Sequence, residues 1–548
     1  MADGPGLFHG RGAPEVPDFG GRLPVALMVP GGYGPALSSL GWQAAYRLLA
    51  ASPRLAVERF FLDHTGDDEP RGTDTGLPLS HFPVLAASLT FEEELLRLPK
   101  ALSAPGVPPL AAERPAFPLL VAGGPLAFLN PAPLARFIDL AWVGEAEAGL
   151  LPLFEALAAH VMDGRDKQSF LEAVKDRPGV WVPGRTKRAR RVLAPDLSAP
   201  AFSCFTGPEA TFKDALLVEV NRGCPHACRF CAAGHIYRPP RQARLEDLQA
   251  IVEHCQPQKV GLVGTDLTGW ADLLAFLAWL KARRIKFSLS SMRADGLTED
   301  LLTFLRGCGV RTVTLALEGP SQRLRRMASK HLDADTFLAA VERCARLGVN
   351  HLRIYCIVGW PGETDADYEE LAAFLAEVDA ARTRGHGNKK QRMRLTVGAS
   401  CLVPKPWTPF QWAPMADEAS LEQRLRQVKA ATRPVKACAF SGDVPWRARL
   451  QGLIARGGED IADLVLLSAE HGGWKQGLKR WEGDASDVLD RERGEHEAFP
   501  WECIDTGIDR GHLYRQWLRA KQCRTSFGCR PDGCEACRAC GMQDFLAD

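Results

Sequence analysis

The sequence predicts an α/β protein with a small doubly wound N-terminal domain, a partial (βα)6 barrel, and an α-rich C-terminal accessory region ending in a cysteine cluster. Three observations predict it. Short apolar runs alternate with amphipathic stretches from Leu23 to His160, and a second series of six such units begins at Leu216. Beyond Pro404 the alternation gives way to helical spacing, until five cysteines crowd into residues 523–540. Alternating strands and helices imply parallel sheets covered by helices.

Composition fits this architecture. The 548 residues suffice for about three or four domains. Hydrophobic residues at 46% and charged residues at 24% are ordinary for a folded globular chain and unlike a disordered one. A net charge of +1 gives no global field that would mark a nucleic-acid binder. Residues 1–22 read as a flexible N-terminus, rich in Gly and Pro and without the basic flank and apolar stretch of a signal peptide, so a cytoplasmic location is expected. The longest apolar stretch, Pro118 to Trp142, is interrupted by prolines, Asn130, Arg136 and Asp139, so no membrane span is expected.

Residues 23–162 form the Rossmann-like unit. Val25–Val29, Val57–Leu62, Val84–Leu89, Leu119–Ala122 and Ile138–Val143 read as strands, with helices over Ser38–Ala51 and Glu147–His160. Ligands of such folds bind beyond the carboxyl ends of the strands, which points to Pro30–Tyr33 and Gly123–Pro125. Residues 163–214 read as an irregular connector whose basic run, Arg185, Lys187, Arg188, Arg190 and Arg191, is expected to be solvated surface.

Residues 215–415 carry the TIM-like partial barrel. Strands are expected at Leu216–Val220, Lys259–Val263, Lys286–Leu289, Thr312–Leu317, Leu352–Val358 and Arg394–Ala399. Helices separate them near Leu245–Cys255, Trp270–Arg283, Asp300–Cys308, Ala334–Leu347 and Asp365–Val378. Reactive loops should follow the strands. Residues 416–522 read as a helical accessory region and 523–548 as a metal-binding tail.

Eight of the sixteen cysteines fall into two tight groups; the rest are scattered and read as buried small apolar residues. In a cytoplasmic chain such clusters are metal ligands rather than disulfides. Cys224, Cys228 and Cys231 follow the first barrel strand directly, on a loop opened by Arg222 and Gly223. Three thiolates this close can hold three irons of a cubane and leave the fourth open to a small molecule. The competing reading is zinc held by the three cysteines with His226 or His235.

The C-x3-C-x2-C spacing, with Phe230 before the last cysteine, resembles the radical S-adenosylmethionine (SAM) superfamily. The resemblance implies a [4Fe-4S] cluster whose open iron is chelated by SAM, reductive cleavage to a 5'-deoxyadenosyl radical, and hydrogen abstraction from a substrate. It also implies cofactor contacts from Phe230, from Gly264 in Gly261-Leu-Val-Gly264, from Ser290 and Arg293 in Ser290-Ser-Met-Arg293-Ala-Asp295, and from Glu318. Val358-Gly-Trp-Pro-Gly362-Glu363 resembles the superfamily's turn near the adenine.

Phrases such as Cys231-Ala-Ala-Gly-His-Ile-Tyr-Arg-Pro and Val403-Pro-Lys-Pro-Trp-Thr-Pro-Phe-Gln-Trp are similar to one subgroup with an N-terminal cobalamin-binding-like domain. That resemblance makes cobalamin a candidate second cofactor and methyl transfer a candidate outcome. Cobalamin domains with a protein ligand carry Asp-x-His-x-x-Gly, which Asp63-His-Thr-Gly66 does not match.

Cys529-x4-Cys534-x2-Cys537-x2-Cys540, with Cys523 as a fifth thiol, fits either a second iron–sulfur cluster or tetrahedral zinc. Expected partners are an unidentified substrate and a reductant such as flavodoxin or ferredoxin. RNA is an alternative substrate if Arg185–Arg191 and Lys389, Lys390, Arg392 and Arg394 contact phosphates. A non-catalytic iron–sulfur or zinc protein is the remaining alternative. Trp360, Trp407, Trp412, Cys356 and Cys401 are expected to be core.

Overall fold

The computed structural model describes residues 17–62, 69–386, 392–530, 533–535 and 537–547. The expected loop Asp63–Gly66, Lys389, Lys390 and most of the N-terminal segment lie outside the described residues.

The N-terminal sheet has six strands, β1 (Leu23–Val29), β2 (Leu55–Phe61), β3 (Val84–Ser88), β4 (Leu119–Gly123), β5 (Leu140–Trp142) and β6 (Val180–Trp181), in the order β2-β1-β3-β4-β5-β6. The first five are parallel and β6 is antiparallel to β5. Both faces are covered, so β1 and β2 are buried almost along their whole length, which is why they read as continuous apolar runs. The covering helices include Leu40–Ala50 and Leu150–Met162. The expected connector is less irregular than its prolines suggested. It supplies the helix Lys167–Val174, the buried strand β6, and β7 (Ala189–Arg190).

The basic run is not solvated surface throughout. Arg191 is buried and donates to the carbonyls of Ile236 and Arg238, Arg190 donates to the Phe545 carbonyl, and Arg188 reaches Asp505 at 3.4 Å. This run stitches the connector to the barrel loop and to the C-terminal tail.

Seven parallel strands form the barrel. β8 (Leu216–Glu219) is followed by a two-stranded antiparallel pair, β9 (Asn221–Arg222) with β10 (Arg241–Gln242). Next come β11 (Lys259–Val263), β12 (Lys286–Ser288), β13 (Thr312–Glu318), β14 (His351–Val358), β15 (Arg394–Cys401) and β16 (Cys438–Gly442). β12-β11-β8 form one sheet and β13-β14-β15-β16 another, joined by a single parallel bridge from Met292 to Leu315.

The seventh strand, β16, lies inside the region expected to be helical. It is short and largely exposed, so it lacks the apolar run that betrays a buried strand, and it forms by extending β15 from Leu395 opposite Cys438. The outer helices, Leu245–Cys255, Leu273–Ala282, Glu299–Gly307, Ala334–Arg346 and Asp365–His386, match the helical spacing. Trp360, Trp407, Trp412, Cys356 and Cys401 are all buried.

The C-terminal region packs back on both domains. β17 (Ile504–Asp505) pairs with β7, and the helices Pro445–Arg456 and Ile461–Glu470 lie against the N-terminal domain. No described helix is long and apolar enough to cross a membrane.

Candidate functional site

The loop that carries Cys224, Cys228 and Cys231 is closed at its base by the β9–β10 pair. That base is fastened to the N-terminal domain by one carboxylate. Glu145 accepts from Arg241 at 2.5 and 2.8 Å, lies 2.8 Å from Arg222, and accepts from the Ala194 amide at 2.9 Å. Burial alone would raise the Glu145 pKa, but the Arg241 hydrogen bonds and the Arg222 charge outweigh it and hold the carboxyl below its usual range. Gly223 opens the loop at φ 75°, and a β-carbon there would collide with the Tyr237 carbonyl, so no other residue fits.

Within the loop the backbone turns tightly. Cys231 N donates to the Cys228 carbonyl at 3.2 Å, and the helix Ala233–Ile236 follows. The Phe230 ring stands edge-on to Trp360, 5.7 Å between centroids. Arg229, between the second and third cysteines, is fully buried. It donates to the carbonyls of Met327 at 2.8 Å and Arg524 at 2.6 Å, and to Ser526 Oγ at 2.6 Å, so it clamps the loop between barrel and tail.

Each histidine proposed as a zinc ligand spends one ring nitrogen on another group. His226 Nε2 lies 2.8 Å from Asp266 Oδ2, and His235 Nδ1 lies 2.9 Å from the Cys231 carbonyl. Burial pushes the Cys228 thiol up to about 12 and Cys224 to about 11, and also raises Cys231. Loading metal therefore displaces protons, as thiolate sites require.

The residues expected around SAM divide. Glu318 ends β13 at φ 67° and pairs with Lys330 Nζ at 3.1 Å; both stand close enough to Cys228 to influence its thiol. Arg293 pairs with Asp295 at 2.6 Å rather than with Glu318, and it too acts on the thiols of Cys224 and Cys228. Ser290 is exposed just beyond β12. Gly264 lies after β11, where an added β-carbon would be 2.8 Å from Asn221 Oδ1; it is a packing position rather than a side-chain contact. The turn Val358–Gly362 is stapled by Glu363, which accepts from the amides of Gly359 and Trp360 at 3.0 Å and from the Tyr368 hydroxyl at 2.9 Å.

Sequence reasoning missed Lys330, Arg229, Asp266 and Glu145. Only Asp266 carried a local signal, lying two residues after Gly264 at the end of a barrel strand.

The tail folds directly onto this loop. Cys529 N donates to the Pro225 carbonyl at 2.7 Å, and Cys529, Cys534, Cys537 and Cys540 line one cavity of about 560 Å3 with Gly223, Pro225, Ala227 and Arg229. Among the described residues, no three His, Cys, Asp or Glu side chains stand close enough to share a single ion. Cys523 does not line the cavity.

Comparison with known proteins agrees with this arrangement. The profile of radical SAM proteins, N-terminal, matches residues 41–183, and that of the radical SAM superfamily matches residues 218–375. The chain belongs to the radical SAM superfamily. Its cysteine loop and five of the seven barrel strands, β8 and β11–β14, fall within or at the edge of the matched span, so the fold expected for a radical SAM protein is the fold present.

An uncharacterised protein of Methanocaldococcus jannaschii is 29% identical over 54% of this chain and 61% of its own length. The ribosomal protein uS12 methylthiotransferase of Solibacter usitatus is 29% identical over 47% of this chain and 53% of its own. The chain thus spans roughly half to three fifths of the curated relatives it matches. A radical SAM methyltransferase from Kitasatospora setae, solved with cobalamin and a [4Fe-4S] cluster, superposes with a TM-score of 0.49 at 13% identity, covering 72% of this chain and 80% of that one.

Proposed function

We propose that the chain holds a [4Fe-4S] cluster at Cys224, Cys228 and Cys231, binds SAM at the iron left without a thiolate, and modifies a substrate by hydrogen abstraction. The observation that carries this reading is the Glu318–Lys330 ion pair beside Cys228, where the strands of a parallel barrel end. When bound, cluster and SAM together supply the chemistry: one electron splits the sulfonium to give methionine and a 5'-deoxyadenosyl radical.

The chain's own residues prepare that event. Burial would lower the Lys330 pKa, but Glu318 and Cys228 more than offset it, so the ammonium stays charged and is offered to a carboxylate in a site with little water. Arg293, oriented by Asp295, adds a second cation near the thiols. Glu318 offers acceptors for hydroxyl groups. Phe230, packed edge-on against the buried Trp360, places an apolar surface beside Cys231. Thiolate ligands need a reducing compartment and a one-electron donor of the flavodoxin or ferredoxin class, so we place the protein in the cytoplasm.

Cobalamin fits less readily. The loops after β1, β3 and β4 (Pro30–Tyr33, Leu89–Phe91, Gly123–Gly124) contain no histidine to serve as a lower ligand. The chain also packs over that edge: Lys405 and Gln451 both hold Glu92, and the gap between Glu92, Leu126 and Ile454 is about 10 Å3.

The test is anaerobic reconstitution with iron and sulfide, reduction with dithionite, and addition of SAM. 5'-Deoxyadenosine is expected from wild type and not from Cys228→Ala. Zinc at the loop, with no nucleoside from wild type, would overturn the reading in favour of a non-catalytic metalloprotein.

A further inference from the structure

We propose that Cys529, Cys534, Cys537 and Cys540 hold a second iron–sulfur cluster, rather than zinc, and that this tail is where electrons enter the chain on their way to the first cluster. The identity of the metal follows from the shape of the site. Four thiolates on one zinc at about 2.3 Å would have sulfurs only about 3.8 Å apart. Here the four thiols line the wall of a cavity of about 560 Å3 instead of converging, and no three ligating side chains among the described residues are near enough to share one ion. They nonetheless belong to one site, since all four face the same cavity. A polynuclear cluster with four protein ligands satisfies both facts.

The site is built against the first cluster's loop. Gly528 lies so close that a β-carbon would collide with the Pro225 carbonyl, and Cys529 N donates to that same carbonyl, on the residue bonded to Cys224. One hydrogen bond and one residue therefore separate a ligand of each site. The segment is held there by Ser526, whose carbonyl lies 2.7 Å from His331 Nε2 and accepts from Ser329 Oγ at 3.1 Å, while Asp509 N donates to the Cys540 carbonyl at 2.8 Å.

The outer side of the tail faces solvent. Phe527 is 95% exposed beside Cys529. Arg524, Arg530 and Arg538 are exposed in the same stretch, where Glu535 is the one exposed carboxylate among the described residues. An exposed aromatic ring in a basic rim suits an acidic one-electron carrier, which would be steered there by charge. The donor loses one electron, the tail cluster gains it and passes it to the first cluster, and no proton or group moves. The relay rests on the function proposed above; the identity of the tail metal does not.

The test measures iron, sulfide and zinc in the anaerobically purified full-length protein. It also follows reduction of the first cluster by EPR, with either dithionite or photoreduced flavodoxin as donor. Wild type is expected to hold about eight irons, two cubanes' worth, and no zinc. Cys534→Ser/Cys537→Ser should lose about half the iron, keep a dithionite-reducible first cluster, and accept electrons from flavodoxin at least about tenfold more slowly. Arg524→Glu/Arg530→Glu should keep all its iron and also slow with flavodoxin by about tenfold or more, with a weaker salt dependence.

Stoichiometric zinc with about four irons in wild type overturns the proposal. So does a cysteine variant that flavodoxin reduces at the wild-type rate. If the cysteine variant assembles no first cluster, the arginine variant decides, and an unchanged rate refutes the relay. Cys228→Ala separates the two sites, since it should lose only the other half of the iron.

Discussion

Glu145 is the carboxylate on which the N-terminal domain, the connector and the cluster loop meet, and Glu145→Gln should loosen all three. The substitution keeps the volume but removes the charge that balances two guanidiniums, each largely buried. Arg222 retains Glu219 at 2.7 Å and also Glu147, whereas Arg241 retains only carbonyls, those of Ala194 at 2.7 Å and Pro239 at 3.2 Å. Breaking a buried pair by removing one partner costs about 3–5 kcal/mol, and the surviving partners of Arg222 place this case near about 3.

A three-part chain of this size has no single unfolding equilibrium, so local opening is the quantity to measure. Amide exchange of the Arg222–Gln242 loop base should accelerate by roughly a hundredfold, since about 1.4 kcal/mol is tenfold. The sign with pH follows from the depressed carboxyl. Its stabilisation is present above the unfolded value of about 4.3 and is lost as pH falls through the folded value, so wild-type protection should decline below about pH 4 while the variant's stays flat there. Exchange at the wild-type rate, or an identical acid profile in both proteins, would refute the role assigned to Glu145.

Three further outcomes are expected. Lys330→Met should leave the iron content of the first cluster intact and weaken SAM binding by about tenfold or more, measured by equilibrium dialysis against the reconstituted protein. Asp266→Asn should free the His226 ring between Cys224 and Cys228, and iron should be lost to a chelator measurably faster than from wild type. Gly528→Val should drive the tail off the Pro225 carbonyl, exposing residues 523–540 to limited proteolysis while the barrel stays resistant.

The sequence revealed elements whose burial pattern is uniform. The N-terminal strands are covered on both faces and the barrel helices bury one stripe each, so both announce themselves by period. β16 escaped because its residues are mostly exposed and its pairing is supplied by β15, a long-range fact. The cysteine loop was legible because three cysteines lie within eight residues. Lys330 was not, because its meaning comes from Glu318 twelve residues earlier, brought back by the helix Gln322–Met327. Arg191 and Arg229 looked like surface cations; nothing local distinguishes a guanidinium that will spend its donors on buried carbonyls from one that stays in water.

Those two buried arginines explain why the tail cannot be treated as an appendage. Arg229 reaches from between two cluster cysteines to Arg524 and Ser526, and Arg191 reaches from the connector to the carbonyls of Ile236 and Arg238 in the loop that ends the cysteine motif. Each donates to carbonyls on a segment distant in sequence, so Arg229 is satisfied only when the cysteine loop, barrel and tail are assembled together, and Arg191 only when the connector meets the loop. A buried guanidinium without its acceptors costs several kcal/mol, which couples folding of the tail to folding of the loop. The chain thereby makes the Cys224–Cys231 loop and the cysteine tail a single cooperative unit, with Cys224 and Cys529 on the two sides of the Pro225 carbonyl.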